Sequence, residues 1–239
     1  MYKLLLDIGN TSVKAAVADG YRILTVRRAD DCHDDFLRPL IEQYRPAAAI
    51  VSSVRDDGAS TIRWLQTYIN KVWLLSHTTP MPLCNRYVTP ATLGVDRLAA
   101  AVGAATLFPK RECLIIDCGT AITIDFLSAA GEFLGGNISP GLQMRFKALH
   151  TFTAALPMGR ADRHTPLIGV STQEAVEAGV VQGAVNELEG YLAQYTVYTP
   201  VFTGGDAFYF AKRIKKPIFV IVNLNFIGLA KIVEHNVHF

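Results

Sequence analysis

Two acidic turns are the residues best suited to handle phosphate: Asp7-Ile8-Gly9-Asn10-Thr11-Ser12 and Asp117-Cys118-Gly119-Thr120-Ala121. In each, an aspartate closes an apolar run and is followed by a tight glycine turn and hydroxyl side chains. Backbone N–H groups and hydroxyls around such a turn form a concavity that suits phosphate oxygens, and the aspartate can hold Mg²⁺ directly or through water. Val13 and Lys14 continue the first turn, Lys14 adding a positive charge, and Thr123 adds a hydroxyl to the second. Alone, the first turn reads equally well as an ordinary hairpin. The second copy shifts the balance, because two opposed Asp-Gly-Thr turns would clamp a polyphosphate and its cations. Phosphoryl transfer needs chiefly that positioning and charge stabilisation. A third feature, Val201-Phe-Thr-Gly-Gly-Asp206, ends a strand in a double glycine over which a flat adenine or ribose could lie without meeting a Cβ, although a double glycine is also a common turn. There is no GxxxxGK[ST] and no GxGxxG after a strand, which removes the P-loop and dinucleotide fingerprints.

The elements that must position these turns can be read from periodicity. Tyr2–Asp7, Val13–Ala18 and Tyr21–Val26 read as a three-strand meander with a hairpin turn at Asp19-Gly20. Helix and strand then alternate: a helix through Phe36–Tyr44, a buried strand Ala47–Val51, a helix from Ser60 to about Asn70 and a strand Val72–Ser76. Thr78–Thr92 carries three prolines and reads as a loop throughout. A helix runs from near Gly94 to Leu107. Leu114–Leu127 (LIIDCGTAITIDFL) then repeats the pattern of Leu4–Val17 (LLLDIGNTSVKAAV), with Phe133–Ile138 as a third strand. The duplication implies two similar lobes facing each other, residues 1–109 and 110–239. Pro140–Leu156 is a further helical region, and Ser171-Thr-Gln-Glu174 is a capping box opening a helix to about Tyr195. Val201–Thr203 is a short strand, and Leu224–Val233 a C-terminal helix.

Composition limits the function classes. The chain has 239 residues, half of them hydrophobic, and a net charge of +2 spread along its length, with none of the basic striping that nucleic-acid binding uses. Nothing approaches an unbroken apolar run of membrane-spanning length, and the strand-like start predicts no cleaved signal peptide. The four cysteines form no CxxC pair and read as buried free thiols in a reducing cytoplasm. Lys212–Lys216 reads as the solvated end of a helix, Trp64 and Trp73 as core or interface aromatics, and His235 and His238 as an exposed tail.

Taken in order, the three turn motifs are similar to the phosphate and adenosine motifs of the acetate-kinase, sugar-kinase, chaperone and actin superfamily. The region Asn85-Arg-Tyr87-Val-Thr-Pro90-Ala-Thr-Leu-Gly94-Val95-Asp96-Arg97 narrows this. It resembles the substrate region of type III pantothenate kinases, as do the DIGNT turn, DCGTAITID, GGNISPGL and the STQEAVEAG helix start, so the resemblance covers essentially the whole chain. It implies an α/β fold of two actin-like (ribonuclease H-like) lobes, each a mixed sheet flanked by helices, with the nucleotide in the cleft between them. It further implies a cytoplasmic homodimer without nucleic-acid or membrane partners, transferring the γ-phosphate of ATP to pantothenate. Carried over residue by residue, Asp96 would be the base facing the pantothenate hydroxyl and Arg97 the anchor for the substrate carboxylate. Tyr87, Gly94 and Val95 would complete the pocket, and Thr172 would contact pantothenate from the other subunit. Asp7, Ile8, Gly9, Asn10, Thr11, Ser12, Val13, Lys14 and Thr120 would bind ATP. Mg²⁺ would accompany ATP near Asp7, and Asp117 would hold a monovalent cation, K⁺ or NH₄⁺. At a helix start Asp96's negative charge is favoured by the macrodipole, which suits orienting the nucleophile more than strong basicity. Each residue also has a plain structural role open to it: a first-turn acid for Asp96, a surface ion pair for Arg97, a capping-box position for Thr172. Two other functions compete: another small-molecule kinase or phosphatase of the same fold, and a non-catalytic ATP-binding regulator. The Tyr87–Arg97 loop argues against the first, and retention of Asp7, Asp96 and Asp117 against the second.

Overall fold

The computed structural model describes residues 1–9, 12–55, 58–162 and 164–237; Asn10 and Thr11 of the first turn and His238 of the tail lie outside them. The chain divides into two compact units, one comprising Met1–Lys110, Ser128–Leu134 and Asn223–Phe239, the other Arg111–Leu127 and Gly135–Val222.

The first unit is built on β1 (Tyr2–Ile8), β2 (Val13–Asp19), β3 (Arg22–Ala29), β4 (Ala48–Ser53) and β5 (Lys71–Leu74), in the order β3-β2-β1-β4-β5. β1 and β2 pair antiparallel, as hairpin neighbours must, while β4 runs parallel to β1 and so needs a crossover, which α1 (Asp34–Tyr44) supplies. Alternation along β1 divides the core. Leu4, Leu6 and Ile8 pack under α1 and α2 (Gly58–Leu65), and Leu5 points to the opposite face. That face is covered by α3 (Val95–Leu107) and the C-terminal α7 (Leu224–Val237). Burying a side chain such as Leu4 or Leu5 completely contributes roughly 1.5–3 kcal/mol, so this two-faced burial is what holds β1 central and its terminal Asp7 in place. Lys3, 3 % exposed, donates its Nζ to the carbonyls of Gly20 (3.2 Å) and Ala230 (3.1 Å), tying the first hairpin to α7.

The second unit repeats the plan with β7 (Cys113–Cys118), β8 (Ala121–Leu127), β9 (Glu132–Pro140, whose first three residues belong to the first unit), β10 (Thr199–Thr203) and β11 (Phe219–Val220). Its sheet runs β11-β10-β7-β8-β9, and β6 (Cys84–Asn85) pairs with Glu132 and Phe133 at the start of β9. The β7–β8 antiparallel and β7–β10 parallel pairs match β1–β2 and β1–β4, so the short internal repeat in the sequence is a repeat of topology. Asp7 lies opposite Lys14 and Ser52; Asp117 lies opposite Thr123 and Thr203. The helices of this unit are α4 (Leu142–Phe152), α5 (Thr172–Gln194) and α6 (Ala207–Ala211).

Several expectations need correction. The segment 78–92 is not loop throughout: it holds β6 and a single 3₁₀ turn at Pro90–Thr92, because Cys84 and Arg86 donate their N–H groups to the carbonyls of Gly131 and Phe133. α2 stops at Leu65, five residues short of Asn70, and tightens into turns through Ile69. In the capping box Ser171 Oγ accepts from Glu174 N as expected, but Glu174 reaches back to the N–H of Val170, one residue earlier than the usual partner. Only Cys113 and Cys118 are buried; Cys32 is half-buried and Cys84 exposed. No helix among the described residues is long and apolar enough to cross a membrane.

Candidate active site

In the first unit β1 ends at the first acidic turn. Gly9 N–H bonds to the Ser12 carbonyl (3.1 Å), closing a tight turn in which Ser12 is buried. Arg55, just past β4, donates Nε to the Gly9 carbonyl at 2.7 Å and lies 3.6 Å from Asp31. Its guanidinium thus braces the turn from the neighbouring strand. Burial pushes the Asp7 carboxyl above its ordinary value; Lys14, directly across the hairpin, opposes that shift, and the charge of Asp96 adds to it. Asp7 therefore feels the charges of both Lys14 and Asp96 within this unit. A half-buried carboxylate that feels a second negative charge is held reluctantly ionised, a situation that a hard dication relieves. Among the described residues no group of three His, Cys, Asp or Glu could hold a metal unaided. A Mg²⁺ there would bring most of its oxygen ligands with it as phosphate and water, its usual habit.

Asp96 stands in the first turn of α3, and its Oδ1 accepts from the N–H of Arg97 at 2.9 Å. Gly94 is the N-cap, and a Cβ there would come within 2.5 Å of that carboxylate oxygen. Glycine there leaves the carboxylate room to fold over the helix end. α3 itself is fixed by α7: a Cβ on Gly228 would meet the Ala99 carbonyl carbon at 2.7 Å and Gly103 N at 3.0 Å, so the two helices touch backbone to backbone.

Arg97 is 6 % exposed. Its guanidinium carbon lies 5.6 Å from the Tyr87 ring centre and 5.7 Å from that of Phe133, and the two rings are 6.3 Å apart. Tyr87 is held by its N–H to Asn85 Oδ1 (2.9 Å), and Arg86 forks onto Glu132 Oε1 at 2.9 and 2.5 Å. The structure thus brings together Tyr87 and Arg97, with Gly94 and Val95 at the start of the same helix.

In the second unit the Asp117 turn is packed against two glycines. A Cβ at Gly141 would fall 2.5 Å from the Thr120 carbonyl, which accepts from Gly141 N–H at 3.1 Å. Gly204, at φ 91°, sits against Asp117 and Cys118, where a Cβ would be 2.5 Å from the Cys118 carbonyl; Asp206 N–H bonds to that carbonyl at 3.0 Å. The second acidic turn and the late double glycine therefore form one locus. Burial, with the charges of Asp117 and Asp206, pushes the Cys118 thiol well up, so it is inert packing, and burial also raises the Asp206 carboxyl. Thr120 is exposed, and Thr172 opens α5 beside an apolar groove of about 770 Å³ that also takes in Phe152, Leu149 and Arg145.

Sequence reading passed over Arg55, Phe133, Gly141 and Asp206. Asp206 carried a signal, as the acid closing the Gly-Gly turn. Gly141 also carried one, as the last glycine of GGNISPGL, whereas Arg55 and Phe133 are defined only by what they touch after folding.

Comparisons with known proteins identify the family. A profile of the family described as type III pantothenate kinase matches residues 3–194. A type III pantothenate kinase of Cytophaga hutchinsonii is 41 % identical over 238 residues, covering 98 % of this chain and 99 % of that protein. Among solved structures, one from Campylobacter jejuni described as a Baf family transcriptional activator has a TM-score of 0.66 at 22 % identity, covering 99 % of this chain and all of that one. A ROK hexokinase of Thermus thermophilus has a TM-score of 0.51 at 15 % identity, covering 99 % and 100 %. At such identities the structures speak for the two-lobed actin-like kinase fold alone, whereas the near-full-length sequence match speaks for the activity. The chain belongs to the type III pantothenate kinase family, phosphotransferases that phosphorylate the alcohol of pantothenate at the first step of coenzyme A biosynthesis.

Proposed function

We propose that this chain transfers the γ-phosphate of ATP to pantothenate with Asp96 as the residue that receives the substrate hydroxyl. The observation that carries this reading is the near-full-length match to type III pantothenate kinases, to which the fold adds Asp7 near the end of β1 and Asp96 in the first turn of α3, two acids of one unit. Asp96 orients the hydroxyl and takes its proton as the new O–P bond forms and the bond from the γ-phosphorus to the bridging oxygen breaks, releasing ADP, a late transfer for which a strong base is not needed. Asp7, the Gly9–Ser12 turn with Asn10 and Thr11, and Ile8, Val13 and Lys14 hold the ATP phosphates, Lys14 by its charge. Asp7 would hold Mg²⁺ brought in with ATP, and the ion would supply charge neutralisation on the phosphates. Thr120 contacts ATP from the Asp117 turn, and Asp117, next to the Cys118 carbonyl, takes a monovalent cation, K⁺ or NH₄⁺. Arg97 pairs with the pantothenate carboxylate, a partner its planar fork fits, with Tyr87, Gly94 and Val95 around it. The lobes are taken to divide near Lys110, with Asp7 and Asp96 in the first and Asp117 in the second.

A homodimer in the cytoplasm completes the reading, Thr172 serving the other subunit's substrate. Its support is the outer face of α5, where Ala175, Gly179, Gly183, Asn186 and Gly190 are all exposed in one helical stripe. Beside it lies the apolar groove with Phe152 86 % exposed. Small residues in line allow close helix approach, and an exposed phenylalanine of that degree is best buried by a partner. The test is phosphate transfer to pantothenate with Mg·ATP and K⁺ supplied. Asp96→Asn should keep the fold and lower kcat by about 10²-fold or more. Wild-type protein without turnover would sink the reading, and an unimpaired Asp96→Asn would remove Asp96 from its role.

A further inference from the structure

We infer that Phe133 is a positioning residue for substrate recognition, holding the Arg97 guanidinium in the place from which it reads the substrate carboxylate. The inference rests on the reading of Arg97 as the carboxylate anchor and goes beyond it by naming what sets the anchor. Phe133 is fully buried at the start of β9, with its ring centre 5.7 Å from the Arg97 guanidinium carbon. With Tyr87 at 5.6 Å from the same carbon and the two rings 6.3 Å apart, the cation sits over the notch between two aromatic rings. Such faces attract a guanidinium, most strongly when water is excluded.

The backbone links the same parts. The Phe133 carbonyl accepts from Arg86 N–H at 2.9 Å, Gly131 accepts from Cys84 N–H at 3.0 Å, and Arg86 grips Glu132. The start of β9 is thus both the template on which the 84–87 segment is laid and the source of one ring under Arg97. A shift of β9 would move Tyr87 and Arg97 together. Phe133 does not belong to the quoted substrate motif and lies far from Arg97 in sequence, so only the fold reveals the pairing.

The experiment is a double-mutant cycle on the full chain with Arg97→Met, Phe133→Leu and the pair, reading kcat and KM for pantothenate and for ATP. Phe133→Met is made alongside, because it keeps most of the volume without a π face and covers the case in which Phe133→Leu does not fold. Phe133→Leu should raise the pantothenate KM about tenfold, the size of one desolvated cation–π contact, leaving kcat and the ATP KM unchanged. Arg97→Met should raise the pantothenate KM at least about tenfold, and the double variant should be no worse than Arg97→Met. Additive effects in the double variant, or a pantothenate KM unmoved in both Phe133 variants, would overturn the inference while the anchor reading stands. Arg97→Met with an unchanged pantothenate KM would instead overturn the anchor reading, and the positioning role with it.

Discussion

Gly228→Ala places one methyl group where α7 touches α3, and the structure sets the size of the effect. The added Cβ would stand 2.7 Å from the Ala99 carbonyl carbon and 3.0 Å from Gly103 N, whereas carbon–carbon contacts are comfortable at about 3.5–4.0 Å. The Cβ would also overlap the Ala99 carbonyl oxygen, the nearest atom, so the helices must part by more than about 1 Å. Overpacking of this kind costs about 1–3 kcal/mol, and at about 2–4 °C per kcal/mol for domains of this size class the melting temperature should fall by about 2–12 °C. The displacement reaches the site because Ala99 lies three residues after Asp96 on α3. A misplacement of about 1 Å at a reacting group can cost about a hundredfold in rate, so kcat should fall by tens of fold while the ATP KM holds. Thermal unfolding followed by circular dichroism, with steady-state phosphotransfer on the same samples, measures both. An unchanged melting temperature would refute the backbone contact. A lowered melting temperature with unchanged kcat would refute the coupling of α7 to Asp96.

Asp7→Asn should separate stability from activity. Since burial raises the Asp7 carboxyl, the native state binds its proton more readily than the unfolded chain, and stability declines as pH rises from the ordinary aspartate value towards the raised one. The asparagine variant loses that decline, so it should melt higher at neutral pH without nucleotide yet show no Mg·ATP turnover; a lower melting temperature would contradict the burial argument. Lys3 is pushed below its ordinary value mainly by burial, so the native state gives up that proton sooner and stability should rise with pH between the lowered value and the ordinary lysine value, a slope that Lys3→Met abolishes in melts across the alkaline range. Replacing K⁺ by Na⁺ should reduce turnover, and Asp117→Asn should reproduce the loss in saturating K⁺; equal rates in both salts would remove the cation from the Asp117 turn. Gly183→Lys, placed on the exposed stripe of α5, should shift the mass in light scattering from dimer to monomer and raise the pantothenate KM, and an unchanged mass would put the subunit contact elsewhere.

The strands and most helices were legible because each follows a local rule. Leu4 to Ile8 is apolar enough to be buried on both faces of a sheet, Ser171 and Glu174 announce a helix start, and Gly20 marks a hairpin. The two Asp-Gly turns could be found as a repeat because a backbone turn for phosphate needs the same residue types wherever it occurs. What failed was non-local. The 84–87 segment looked like loop because prolines surround it, yet its N–H groups find the carbonyls of Gly131 and Phe133.

By itself the sequence determined the fold class, the twin turns and, through the region from Tyr87 to Arg97, the family, since turn chemistry and motif spacing are properties of short stretches of chain. Only the tertiary structure decided that α7 braces the helix carrying Asp96, that Arg55 holds the first turn, that Gly204 closes on Asp117, and that Arg97 sits over Tyr87 and Phe133. These are contacts between residues distant in the chain, fixed by strand register and by how closely backbones can approach, and no local pattern encodes either.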